Sequence, residues 1–276
     1  MSAADTTLSV PRLEHVGRVT QGGVLASEWT KLRSLRSNRL SLLAASVLTI
    51  GFPILFASIV GSHWGHMTPM ERANRQPLDV ALSGVGIAHI VLGVLGVTVI
   101  TGEYSTGLIR ATFCAVPKRL PVLWAKAADY ALVCFALMLP AVVIAFFSSQ
   151  AILNRHHILQ ISFTHPGVAR CVVGAAVYLM LVGVFAVALG AIVRSTAGGI
   201  ALFATIFFVT PPLVDVLPAS WSDAISPYLP SSAGRSMVML THGPHELAPG
   251  PGAALLCGYV ALALAAAAVL LVRRDT

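Results

Sequence analysis

The densest group of chemically useful side chains in this sequence lies between residues 103 and 126. Glu103, Tyr104, Gly107 and Arg110 follow one another closely, then come Pro117, Lys118, Arg119 and Lys126. A carboxylate, a guanidinium and a glycine so spaced do not make a nucleophile with its base. They suit docking: two charges to pair with another surface, and a residue without Cβ to admit a close backbone. Leu108, Ile109, Thr112 and Phe113 fall on one side of a short helix, with Arg110 pointing elsewhere. Pro117 ends it, because the residue before a proline is pushed out of helical geometry. Lys118 and Arg119 then suit the helix C-terminus and lipid headgroups. A short helix held parallel to a membrane face presents itself to a protein partner. A basic loop that only fixes topology is the plainer reading.

The remaining reactive residues are scattered. Lys126 and Asp129 stand three apart, a spacing that lets them pair on one helical face. His89 lies near the middle of a long apolar stretch, where a polar ring should face the protein interior or a cavity rather than lipid. Two roles are open for it: hydrogen-bonded packing, or contact along a substrate path. Seven of the nine histidines, His63, His66, His156, His157, His165, His242 and His245, fall in segments between apolar stretches. No carboxylate or cysteine pattern accompanies them, so no metal site is expected. Cys114, Cys134, Cys171 and Cys257 lack Cys-x-x-Cys spacing and read as small apolar fillers. There is no Gly-x-x-x-x-Gly-Lys-Ser/Thr phosphate loop, no Gly-x-Ser-x-Gly elbow and no His-Glu-x-x-His zinc motif. Enzymatic hydrolysis by this chain itself is therefore not expected.

The elements that position these residues follow from composition. Of 276 residues, 56% are apolar and 11% charged, with a mean hydropathy of +0.81. A soluble domain carries roughly 25% charged residues. Six apolar stretches stand out: Leu40–Val60, Val80–Thr101, Ala127–Phe147, Val168–Val193, Ala197–Leu217 and Ala253–Val272. Each approaches or exceeds the roughly 20 residues that cross a bilayer as a helix. Short alternating segments, which a barrel needs, are missing. The expected fold is an all-α polytopic membrane protein of six transmembrane helices.

Charge sets the orientation. With the N-terminus inside, thirteen Lys and Arg fall on inner segments and five on outer ones, whereas the acids divide six to five. By the positive-inside tendency both termini are cytoplasmic. The basic residues gather at membrane boundaries and are not clustered with exposed aromatics, so nucleic acid is not an expected partner. Residues 1–22 read as a disordered cytoplasmic tail. From Gly23 to Arg39, Val24, Leu25, Trp29, Leu32 and Leu35 approximate one helical stripe, with Glu28, Lys31, Arg33 and Arg36 largely off it. That pattern predicts an interfacial helix leading into the bilayer.

Three segments carry a resemblance. Glu103-Tyr104-x-x-Gly107-x-Ile109-Arg110, followed by Pro117-x-Arg119 and Lys126, resembles the inner loop of the permease subunits of ATP-binding-cassette (ABC) type-2 transporters. Ser27-Glu28-Trp29-Thr30-Lys31-Leu32-Arg33-Ser34 is similar to their N-terminal interfacial helix, and Arg273-Arg274-Asp275 to their ending. Leu108 departs from the family, which often has Thr after the glycine. The similarity spans residues 23–276, which would form one six-helix permease domain. It implies an inner coupling helix and an outer re-entrant element, for which residues 218–250, broken by Pro227 and Pro230, are the candidate. It implies an exporter that moves a hydrophobic or amphipathic substrate across the plasma membrane. Its partners would be cytosolic ATPase subunits, which bind the ATP and Mg, a second permease copy or paralogue, and membrane lipid. No cofactor belongs to this chain. The coupling residues carried over are Glu103 as acidic anchor, Tyr104, Gly107 as close backbone contact, Arg110 as charged contact, Pro117 and Arg119. Glu28, Trp29, Lys31 and Arg33 belong to the interfacial helix. The run Leu82-Ser83-Gly84-Val85-Gly86 is superficially like the ABC ATPase signature, but it sits inside an apolar stretch. A self-sufficient secondary transporter or channel is the alternative. A membrane anchor that recruits a cytosolic protein is a third reading.

Overall fold

The computed structural model describes residues 21–34, 36–73, 75–109, 112, 119–158, 160–243 and 245–273; of residues 32–34, 73 and 119 it describes the backbone alone. The tail expected over residues 1–22 lies, up to residue 20, outside the described residues. The first helix, α1 (Gln21–Ser34), begins two residues before the boundary read from the sequence. It is followed by α2 (Arg36–His63), the short α3 (Pro69–Ala73) and α4 (Pro77–Leu82), and α5 (Gly84–Ser105). Then come α6 (Arg119–Arg155), α7 (Val168–Val193), α8 (Thr196–Ala204), α9 (Thr210–Asp215), α10 (Ala219–Ile225), α11 (Pro230–Val238) and α12 (Pro249–Arg273). No strand occurs among the described residues. Six helical stretches are long and apolar enough to cross a membrane.

The bundle is built around α5 and α7, which form its most extensive helix pair. Within their most apolar stretches these two are 67% and 78% buried, whereas the other four range from 22% to 33%. A helix hydrophobic all round belongs in a core. The Gly, Ala and Val content of α7 allows the close packing that this position requires. The outer helices turn large apolar side chains outward: Leu40, Leu43, Val47, Leu55 and Ile59 on α2, and Leu132, Leu137, Ile144 and Phe147 on α6. An aqueous protein rarely presents such continuous apolar surface. Here it is the face that meets lipid.

Three local features depart from the apolar pattern. The third span starts at Arg119 rather than near Ala127. Leu120, Val122, Leu123 and Ala125 propagate the helix backwards, and Pro121 is tolerated because first-turn amides have no intrahelical acceptor. Lys126 therefore stands two turns inside a helix. The second span is split at Ser83 between α4 and α5. The fifth is interrupted by a π-turn over Thr205–Val209. Pro211 and Pro212 supply no amide hydrogens to the ladder there, while the amide and the hydroxyl of Thr210 both donate to the Thr205 carbonyl.

Residues 218–250 form the broken element expected of them. α10 leaves Trp221 and Ile225 exposed, and α11 returns into the bundle against α7 and α12. Gly234 makes that return feasible, because a Cβ there would collide with the Tyr178 ring.

Candidate functional site

On the face of the bundle that carries α1, four charged side chains from three elements close into a ring. Glu28 comes from the middle of α1. Glu103 sits in the last turn of α5, and Lys126 lies in α6. Lys126 Nζ donates to Glu28 Oε2 at 2.5 Å and to Glu103 Oε1 at 2.9 Å. Lys31 Nζ donates to Glu28 Oε1 at 2.6 Å, Glu103 Oε1 at 3.2 Å and Thr112 Oγ1 at 3.3 Å. Charges alternate around the ring and sum to zero. Its inner members are shut away from solvent, with the side chains of Glu28 and Lys126 only 1% and 3% exposed, whereas Lys31 is 37% exposed.

This arrangement shifts the buried face expected of α1: Val24 and Leu25 stay on it, and Trp29 does not. Its buried side holds Val24 and, one turn on, Glu28, while Trp29 is exposed. A carboxylate is tolerated there because each oxygen has an ammonium partner. Burial by itself raises the Glu28 pKa; the Lys126 and Lys31 charges and hydrogen bonds outweigh it and hold the carboxyl below its ordinary range. For Lys31, burial lowers the pKa, but Glu28 and Glu103 more than compensate and raise it. The pairing of Lys126 with Asp129 read from their spacing does not form among the described residues. Lys126 turns to the two glutamates, and Asp129 is buried beside the ring with Oδ2 unpartnered there.

An apolar layer surrounds the ring. Val24 of α1, Ile100 of α5, Ile109, Val122 and Leu123 of α6, and Leu271 of α12 form one buried cluster. The segment between the second and third spans is thus anchored through Ile109 and Thr112 and leaves Thr106, Gly107 and Leu108 exposed. Gly107 ends α5 in the left-handed region, at φ +72°, where glycine carries no Cβ penalty. Tyr104 lies beneath the Arg194 guanidinium, 5.4 Å from its ring centroid, and Arg194 also donates to the Leu270 carbonyl. This ties the segment to the ends of α7 and α12.

Arg110 and Pro117, with Phe113, Cys114 and Lys118, lie outside the described residues, and so does the terminal Arg274-Asp275 pair. Only the backbone of Arg33 and Arg119 is described. Of the residues read from the sequence, the structure joins Glu28, Lys31, Glu103 and Lys126 directly. Only the Glu28–Lys31 pair has helical spacing within one segment; Glu103 and Lys126 reach the ring from separate helices.

His89 sits apart from the ring, in the core. Its Nδ1 shares a hydrogen bond of 3.1 Å with the Tyr178 hydroxyl. The rings of Phe203, Phe207 and Phe208 surround it at centroid distances of 5.5, 4.7 and 5.2 Å. No group of three or more His, Cys, Asp or Glu side chains suited to a metal comes together among the described residues. Cys134 and Cys171 are buried as free thiols.

Fold and site together define a helical multi-pass membrane protein with a charged latch on one face. No protein-family model matches the chain, and no curated protein matches it in sequence.

Proposed function

We propose that the chain is the membrane-spanning permease subunit of an ATP-driven ABC type-2 exporter in the plasma membrane, with the α1 face and both termini in the cytoplasm. Separate ATPase subunits dock on that face, bind ATP and Mg there, and move a hydrophobic or amphipathic substrate outward. Two permeases, copies or paralogues, line the path. The observation that supports this reading is the four-charge ring. It makes α1, the end of the second span and the start of the third into one block, directly beneath the exposed turn at Gly107. A partner pressing on that turn would move three elements together, which is how a small displacement at a docking surface becomes a change in helix packing.

The test is purification of the tagged chain from its native host in gentle detergent, with mass spectrometry of what accompanies it. A stoichiometric protein with a Gly-x-x-x-x-Gly-Lys-Ser/Thr motif supports the reading. Arg110→Glu should then abolish substrate-stimulated ATP hydrolysis while leaving expression intact. A second reading, a self-sufficient secondary transporter or channel, is favoured by the interrupted fifth span, since interrupted helices often carry binding sites in that class. Repeated recovery of the well-folded chain alone would support it instead.

A further inference from the structure

A cavity of about 530 Å³ opens on the side of α5 that carries His89, between the π-turn and α11. Its inner wall is apolar and aromatic, made by Tyr178, Phe207 and Phe208. Among the residues that line it, Asp79 and Arg235 are exposed and charged. Size and lining match those of small-molecule sites, which are mostly apolar with a few placed polar groups.

Two observations indicate that this space is built to be filled. First, His89 Nε2 and Ser231 Oγ are both buried without a hydrogen-bond partner among the described residues, and both residues line this one cavity. Native proteins rarely leave such atoms unsatisfied. The Tyr178 hydroxyl fixes Nδ1 of the same ring, so Nε2 presents a single donor or acceptor. Second, the π-turn brings the consecutive residues Phe207 and Phe208 both against His89, at 4.7 and 5.2 Å. A regular helix would splay neighbours by about 100°. π-Turns inside helices are frequent at functional sites.

The charges narrow the ligand. The side chains of Asp79 and Arg235 make no hydrogen bond or ion pair among the described residues. One carboxylate and one guanidinium lining the same cavity favour a polar end with no net charge. We infer that the cavity binds a small neutral or zwitterionic amphiphile, with its apolar body against Phe207 and Phe208 and its polar end toward His89, Ser231 and the two charges. The inference rests on the exporter reading only for what the ligand is for, namely that it is cargo.

The experiment uses the full chain in lipid nanodiscs and the fluorescence of N-phenyl-1-naphthylamine, a neutral aromatic amphiphile, with empty nanodiscs as background. Gly86 lies one turn before His89, and a Cβ added there meets nothing within 4 Å. Gly86→Phe should therefore fill the cavity without displacing backbone. Gly51→Phe, at an equally open position on α2, is the matched control. The expected result is saturable binding of about one probe per chain, weakened at least tenfold by Gly86→Phe and His89→Leu and unchanged by Gly51→Phe. Octylphosphocholine should displace the probe at least tenfold better than octyl sulfate or octyltrimethylammonium. Absence of saturable binding, or equal binding by Gly86→Phe, overturns the site. Equal displacement by either ion overturns the ligand class. Binding by a chain that co-purifies with no ATPase leaves the site standing and removes the exporter reading; an ATPase partner without probe binding does the reverse.

Discussion

Lys126 donates at 2.5 Å to Glu28, a residue 98 positions earlier in the chain, and the two side chains are among the least exposed charged groups in the protein. Neither would be stable in that position alone. Removing one partner of a buried pair typically costs about 3–5 kcal/mol, mostly from the charge left behind. Lys126→Met should therefore lower stability by about that amount, read as the loss of folded protein on titration with denaturing detergent. Glu28→Gln combined with Lys126→Met should recover part of the loss, with a coupling of at least about 1 kcal/mol. Simple additivity would show that the pair is not coupled.

Acid should open the same latch. Because the Glu28 pKa is lowered in the folded chain from an ordinary 4.5, its contribution is complete above that value and lost as the pH falls through the folded one. Thermal stability of the wild type should decline from about pH 5 downward. Glu28→Gln should begin lower at neutral pH and decline less steeply. Parallel curves for the two proteins would remove Glu28 as the source.

Gly107 is held at φ +72° on the exposed turn. Placing a β-carbon in that region costs about 1–2 kcal/mol, and asparagine is among the few residues that tolerate it. Gly107→Asn should retain the turn and Gly107→Val should not. On the exporter reading, the valine variant should lose substrate-stimulated ATP hydrolysis by the partner while the asparagine variant keeps most of it. Equal activities would show that the turn makes no contact that matters.

The Tyr178 hydroxyl is the partner of His89 Nδ1 in the core. Tyr178→Phe leaves that ring without a partner at either nitrogen, a loss of about 1–3 kcal/mol. Thermal unfolding followed by fluorescence should show it. His89→Leu in the same background should restore stability, because the stranded polar atoms are then gone.

Much of the architecture was legible because apolar periodicity reports burial against lipid and neighbours directly. The span at Val168–Val193 coincides with α7 at both ends, where apolar residues run up to Gly167 and Arg194. The latch was legible only as separate parts. Glu28, Lys31 and Glu103 are each recognisable in the sequence as charges near an apolar stretch, but which helices meet is set by long-range packing. For that reason Asp129, three residues away, looked like the partner of Lys126. The start of α6 lies earlier than the apolar stretch suggests, because charge and proline near Arg119 resemble a loop, although Pro121 in the first turn of a helix disrupts nothing. Pro211 and Pro212, which cannot donate to a helical ladder, stand just after the π-turn that breaks the fifth span. Nothing in the local sequence showed that the break delivers two phenylalanines to His89.

The latch also has an order in time. Glu28 leaves the ribosome 98 residues before Lys126, and at roughly 5–20 residues per second that interval is about 5–20 s. Throughout it, Glu28 has only Lys31, its neighbour on α1, and later Glu103, a second negative charge. The first helix, α1, cannot seat its carboxylate until the third span arrives with the missing ammonium. Docking of α1 thus marks the moment at which the first half of the bundle is complete, and a chain stalled before Lys126 would leave α1 undocked, with the Glu28 carboxylate unburied.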